Sequence, residues 1–139
     1  MDIRCLENAP VPTEALTRLY LDAGWTAYTD HPDIMAGLLP GALWHMSAWE
    51  GDELVGLIRC VGDGVSLLYV QDILVLASRQ RRGIGRKLLA AALARFSHIR
   101  QIVLLTDNRE KTRAFYEAAG FTEASRTGCL CYVRFSMEA

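Results

Sequence analysis

Apolar positions along the chain change spacing from helical to alternating and back, and these changes of period predict the elements. Over residues 12–23, Leu16, Leu19 and Tyr20 share a helical face, with Thr13 as the expected N-cap and Gly24 as the stop. An aromatic and polar stretch follows at 25–33, WTAYTDHPD, in which Pro32 opens a second short helix that ends near Leu39, before the Pro40-Gly41 turn. Strands are expected at 43–49 and 54–61, joined by the tight turn Glu50-Gly51-Asp52-Glu53. A third strand, 65–76, follows Gly62-Asp63-Gly64, a hairpin signal because Asp-Gly readily takes positive φ. Ile84, Leu88, Ala92 and Phe96 then recur every four residues, with Leu89 and Leu93 beside them, on a helix from 84 to about 97. Within 100–106, IVLLT is a continuous apolar run that suits a central strand covered on both faces. A helix at 111–119 stopped by Gly120, then Phe121 and last strands at 129–135, complete the order.

This order, ααβββαβαββ, predicts an α+β fold with a mixed sheet flanked by helices: an antiparallel meander, then a βαβ unit whose two strands run parallel. No repeat or linker interrupts it, so a single domain is expected over 1–139. Composition narrows the class. With 51% hydrophobic and 22% charged residues, the chain reads as an ordinary globular protein. No run approaches the roughly 20 apolar residues of a membrane span, and the start shows no basic-then-apolar leader. Four cysteines fit thiols of a reducing compartment, so a cytoplasmic location is expected. Cys129-x-Cys131 lacks the spacing of a zinc knuckle and has no supporting histidine pair, so no metal is expected.

Charge placement then points to chemistry. The net charge is only −1, which disfavours a nucleic-acid binder, yet Arg79, Arg81, Arg82, Arg86 and Lys87 crowd into nine residues. They surround Gly83 and Gly85, where a loop becomes a helix and the backbone can approach a ligand closely. Free N–H groups and the positive dipole end make a helix start an anion site. Cations there oppose the dipole by roughly 0.3–1 kcal/mol each unless an anion such as a pyrophosphate is bound. A dinucleotide-binding glycine motif would need a third glycine where Leu88 stands, and a P-loop would need Gly-Lys-Ser/Thr.

Gln80-Arg81-Arg82-Gly83-Ile84-Gly85 resembles the Q/R-x-x-G-x-G/A motif of the GCN5-related N-acetyltransferase (GNAT) superfamily, and it follows a strand ending Ile73-Leu74-Val75 as in that family. About thirty residues on, Phe115-Tyr116-Glu117-Ala118-Ala119-Gly120-Phe121 is similar to the family's F-Y-x-x-x-G-F segment. The order of elements agrees over essentially the whole chain. Two positions depart from the pattern. Ala77 replaces the proline that usually follows the strand. Asn108 stands eight residues before Tyr116, where the family's pantetheine-contacting asparagine stands seven before it, and Arg109 occupies that place.

The resemblance implies an acetyl-CoA-dependent N-acetyltransferase, with acetyl-CoA as co-substrate and an amine as acceptor. The backbone of Ile73, Leu74 and Val75 would pair with the pantetheine arm, and one of its N–H groups would polarise the thioester carbonyl. Gln80, Arg81, Arg82, Gly83, Ile84, Gly85 and Arg86 would hold the pyrophosphate, the arginines as outer screening that can reach the ribose 3′-phosphate. Tyr116 would be the general acid: a phenol, with an ordinary pKa near 10, is protonated at pH 7 and can donate to the departing sulfur. Asp72, the only acid inside the central strand, is a candidate base, an anchor for the substrate ammonium, or a structural carboxylate that caps the neighbouring loop or pairs with an arginine. Glu50, Glu53 and His45 are further candidates for the base.

Trp25, Tyr28 and Asp72 would suit a small cationic or aromatic amine, and the short chain leans the same way against a protein acceptor. Trp25 and Tyr28 would serve equally as caps on the core. Family members often dimerise, so a homodimer is allowed; neither a membrane nor a nucleic acid is expected as a partner. The rival class is a non-catalytic acyl-CoA-binding module, which would keep the turn but need no Tyr116.

Overall fold

The alternating runs of the meander pair in order along the chain. Residues 2–136 are described by the computed structural model. The chain divides into two compact units, Met1–Leu105 and Thr106–Ala139. In the first, β1 (Arg4–Glu7), β2 (Trp44–Glu50), β3 (Glu53–Gly62), β4 (Leu67–Val75) and β5 (Gln101–Leu104) form one sheet in that spatial order. The first four strands are antiparallel neighbours, and β5 runs parallel to β4. Helices α1 (Thr13–Asp22), α2 (Thr26–Thr29) and α3 (Pro32–Leu38) lie between β1 and β2 in sequence, and α4 (Ile84–Arg95) joins β4 to β5. This is the expected α+β architecture, a meander plus a βαβ unit with flanking helices.

Side-chain alternation along β3 puts α1 and α4 on opposite faces. A Cβ at Gly56 would lie 3.0 Å from Ile84 and 3.4 Å from Leu88, so its face carries α4. Arg59, three residues on and therefore on the other face, binds Asp72, which in turn accepts from Tyr20 of α1. Leu16, Leu19, Leu57, Ile58, Leu68, Leu88 and Leu89 are fully buried in the two layers, each worth about 1.5–3 kcal/mol by removal from water.

The β3–β4 turn depends on Gly62 and Asp63. Asp63 accepts from the N–H groups of Ser66, Val65 and Leu67, which together hold its carboxyl well below the usual carboxylate range. Gly62 has φ +147°, and a Cβ there would stand 2.3 Å from the Leu67 carbonyl oxygen. Gly62→Ala is therefore expected to destabilise the fold by about 3 kcal/mol, read as a lower midpoint in urea with an unchanged slope.

Four expectations are corrected. The first helix begins at Thr13, with Pro12 as N-cap and no side-chain cap bond; proline's preset φ suits the entry. The strand β1 was not anticipated, because four half-exposed residues show no alternation and only pairing with β2 makes them a strand. The run at 100–106 forms only Gln101–Leu104, an edge strand among the described residues with half-buried side chains, rather than a covered central one. Residues 129–135 form no strand: a short 3-10 turn, Ala124–Thr127, is followed by irregular backbone. A strand needs a ladder partner, which an alternating pattern does not supply.

In the second unit, α5 (Glu110–Ala118) is followed by Gly120 at φ +95° and a cluster of three rings. Tyr116 stands edge-on to Phe115 at 5.0 Å and to Phe121 at 5.9 Å between centroids.

Candidate active site

An open edge on β4 defines the site. The ladder with β5 runs from Leu67↔Gln101 to Val70↔Leu104 and stops there, so from Gln71 to Val75 β4 has no ladder partner on that side among the described residues. At the same point Arg59↔Asp72 is followed by Cys60↔Val70, which leaves Gln71 as a bulge. Beyond the bulge the parity of the antiparallel ladder settles which amides are free. Leu76 donates to the Val55 carbonyl, so Leu76 and Leu74 face β3, while Ile73 and Val75 turn their N–H and C=O groups to the open edge. Of the three residues expected to pair with a pantetheine arm, Ile73 and Val75 thus present amides outward and Leu74 does not. The Val75 carbonyl already accepts from the Gln80 side chain at 3.3 Å.

The open edge leads into the arginine turn. Arg81 has φ +68° and Gly83 φ +79°, two left-handed residues bracketing Arg82. A non-glycine residue held there is uncommon, and alternation of left-handed with other backbone turns successive N–H groups into an anion-binding concavity. The first helical bond of α4 runs from Lys87 N–H to the Gly83 carbonyl, so Ile84, Gly85 and Arg86 have N–H groups without a helical acceptor. Ile84 is buried and pins the helix start to the sheet, while Arg81, Arg82 and Arg86 are exposed.

The five cations are not equivalent. Arg79 donates through Nε to Glu50 at 2.5 Å and through an η nitrogen to Glu53 at 2.7 Å. Arg82 reaches Glu50 at 3.4 Å. Hydrogen bonding from Arg79, aided by its charge and that of Arg82, holds the Glu50 carboxyl below the usual range against the opposing effect of burial. Arg81, Arg86 and Lys87 enter no ion pair among the described residues, which leaves them as the turn's uncommitted positive charge. Two of the proposed bases, Glu50 and Glu53, are therefore the acidic clamp of this turn. The third, His45, is buried with Nε2 3.0 Å from the Ala9 carbonyl oxygen.

Asp72 is 2% exposed. Its Oδ2 accepts from Tyr20 at 2.7 Å and from two nitrogens of Arg59 at 2.8 Å each. Burial, and then the Asp72 charge, push the Tyr20 phenol far above its ordinary pKa, so it remains a donor. Burial opposes the Arg59 charge, but Asp72 and Tyr20 outweigh it and hold the guanidinium pKa above its usual value. Of the roles open to Asp72, pairing with an arginine is the one whose partner is in place. Arg59 and Tyr20 were not singled out from the sequence. The available signal was symmetry: Arg59 is the one cation inside an apolar strand, opposite the one acid inside the next.

Trp25 and Tyr28 lie edge-on to the Tyr20 ring at 6.0 and 6.1 Å, Trp25 partly exposed, so they extend the same cluster outward. In the second unit, Tyr116 is half-buried; burial, and then the charge of Asp107, raise its pKa above the ordinary phenol value. Asn108 is exposed in the loop before α5, its Oδ1 3.5 Å from an Arg113 nitrogen. Beside β2, a cleft of about 500 Å³ is lined by Asn8, Thr13, Leu16, Met35, Leu39 and His45, among others. No group of His, Cys, Asp or Glu among the described residues could hold a metal ion, and no helix there is long and apolar enough to cross a membrane.

Known proteins share the domain and the fold. The acetyltransferase (GNAT) domain model matches residues 42–123, from before β2 to beyond the Phe-Tyr segment. A GNAT family acetyltransferase from Streptococcus pneumoniae superposes with a TM-score of 0.87 and 36% identity, over 99% of this chain and 100% of that one. A Staphylococcus aureus structure described as a probable acetyltransferase shares the fold, with a TM-score of 0.79 at 22% identity over 96% of this chain and 100% of that one. A Gibberella zeae protein that carries the acetyltransferase name is 33% identical over 59% of this chain but only 46% of its own length, so the match spans about half of that relative. The domain model covers the strands β2–β5, the glycine turn and the Phe-Tyr segment of this chain, and the chain belongs to the GNAT acetyltransferase family.

Proposed function

We propose that the chain is an acetyl-CoA-dependent N-acetyltransferase that passes an acetyl group to a primary amine by direct attack in a ternary complex. The observation that carries this reading is the open β4 edge running into the anion turn. The amides of Ile73 and Val75 are available to a pantetheine arm, as an added strand would use them, and the N–H groups around Gly83 to a pyrophosphate. The acetyl donor supplies the activated thioester; the protein orients it and stabilises charge. The Ile73 N–H, next but one to the bulge, is the donor for the developing oxyanion. Arg81 and Arg86 screen the phosphates, while Arg79 shapes the turn through its acidic clamp. Tyr116 protonates the departing sulfur, a role supported by the family motif and by a pKa held above the ordinary phenol value.

Asp72 serves this site as the buried anchor of β4 beside Ile73. Its Oδ2 is engaged by three donors, so a part as proton acceptor would require one of them to leave. The amine's proton then leaves through water. A small-molecule acceptor is favoured over a protein because Trp25 and Tyr28 extend the Tyr20–Asp72 cluster outward as flat faces that suit a compact amine. The reading takes 1–139 as one acetyltransferase domain working in the cytoplasm, in keeping with four free thiols.

Thermal unfolding with and without acetyl-CoA tests it, followed by free-thiol release across a panel of amines. At a hundredfold excess over Kd the ligand should add about 2.7 kcal/mol, a rise in Tm of roughly 5–10 °C. No shift would remove both this reading and the acyl-CoA-binding module. A shift without thiol release from any amine would favour the module.

A further inference from the structure

The anion turn does not hold itself. No backbone N–H from Arg81 to Arg86 has an acceptor among the described residues, and the turn contains the left-handed residues Arg81 and Gly83. Such a backbone keeps its shape only where its surroundings fix it. Buried Ile84 supplies one support, and the Gln80 side chain, donating to the Val75 carbonyl, supplies another. The remaining support comes from the end of the β2–β3 hairpin, where Glu50 and Glu53 form the last ladder pair.

Glu50 is the centre of that support. Its Oε1 accepts from Arg79 Nε at 2.5 Å and its Oε2 from Arg82 at 3.4 Å. Arg79 has no nitrogen left over: one η nitrogen donates to Glu53 at 2.7 Å and the other to the Ser78 hydroxyl at 2.7 Å. A planar guanidinium can bridge two carboxylates in this fixed way, whereas an ammonium cannot. The Glu50 side chain is only 10% exposed, and β3 fixes the strand end that carries it. Charge alone gives no reason for a carboxylate here. It would repel the phosphates of a bound polyanion, so its presence beside the turn needs another use.

We infer that Glu50 is the positioning residue of the anion turn: by gripping Arg79 and Arg82 it fixes the backbone that receives the donor's pyrophosphate, and it withholds both guanidinium groups from the phosphates. The turn then reads the pyrophosphate through its free N–H groups, backed by Arg81 and Arg86, while two of its arginines serve the scaffold. The identity of the anion rests on the proposed function; the grip on the turn does not.

Charge and position predict opposite signs for Glu50→Gln. Loss of a negative charge should by attraction alone tighten acetyl-CoA binding; loss of the positioning carboxylate should weaken it about tenfold. Arg79→Lys leaves the net charge unchanged but breaks the bridge between the two carboxylates, so it should weaken binding by a similar factor. Both substitutions act through one contact, and the double variant should therefore lose no more than about twofold beyond either single one. Calorimetric titration of the four proteins with acetyl-CoA measures this. Tighter binding by Glu50→Gln, or losses that multiply in the double variant, would overturn the inference. Turnover with a responding amine separates positioning from general damage, because S-acetylpantetheine is a donor without the pyrophosphate. The ratio of kcat/KM for acetyl-CoA to that for S-acetylpantetheine should fall about tenfold in each single variant, with the loss carried by KM. A loss shared equally by both donors would make the clamp merely structural and overturn the inference. Should the wild type bind no acetyl-CoA, the proposed function falls, and titration with inorganic pyrophosphate judges Glu50 by itself. Weaker binding to Glu50→Gln than to wild type supports the inference, and equal or absent binding overturns it.

Discussion

Replacing Tyr116 with phenylalanine should lower kcat by about 10²- to 10⁴-fold while leaving acetyl-CoA affinity nearly unchanged, the range that loss of a positioned general acid spans. The substitution is conservative for packing. The ring contacts with Phe115 and Phe121 survive, and only the hydroxyl is lost. Because burial and the Asp107 charge raise the phenol pKa, the acid form persists to higher pH than an ordinary tyrosine near 10. The alkaline fall in kcat of the wild-type enzyme should therefore begin above that value and be absent from the variant. Unchanged turnover, or a variant that keeps the wild-type alkaline limb, would take Tyr116 out of the mechanism.

The second large effect is expected at Asp72. Substitution by alanine leaves the Arg59 guanidinium buried with its carboxylate gone, which costs about 3–5 kcal/mol and roughly 10 °C or more in Tm. Removing both charges together, Arg59→Met with Asp72→Leu, should recover most of that loss, since two apolar side chains of similar volume can replace a buried pair. Tyr20→Phe should cost less, about 1–1.5 kcal/mol for one hydrogen bond to a charged acceptor. Denaturant titration of the four proteins gives the ordering. Activity below the melting range separates the two roles of Asp72. If it positions β4, the double variant keeps the wild-type pH dependence of kcat; if it accepts the amine proton, the acidic limb disappears.

Much of the fold is legible in the sequence. Gly62-Asp63-Gly64, the i+4 series Ile84, Leu88, Ala92 and Phe96, and the glycine turn at 80–85 are local signals, and each formed where its pattern lay. What failed were statements about neighbours. The apolar run IVLLT announced a strand but not that it would stop at Leu104, and residues 129–135 carried strand pattern without a partner. The division of the cations was hidden for the same reason: Glu50 and Glu53 lie some thirty residues before Arg79, and only the β2–β3 hairpin brings them to it. Asp72 was conspicuous as a lone acid in an apolar strand, yet its pairing with Arg59 depends on register, which the bulge at Gln71 shifts by one residue.

That bulge makes β4 a ruler. At about 3.3 Å per residue, the positions from Gln71 to Val75, without a ladder partner on the β5 side among the described residues, give roughly 16 Å of strand between the point where β5 ends and the segment that leads into the anion turn. An extended arm anchored by its phosphates at one end has its other end placed by length alone, so the bulge decides which atom of the arm meets the Ile73 amide. Inserting one residue between Asp72 and Gly83 would move the reacting carbonyl off that donor without touching any group that performs chemistry, and the chain would bind its donor well and transfer from it poorly.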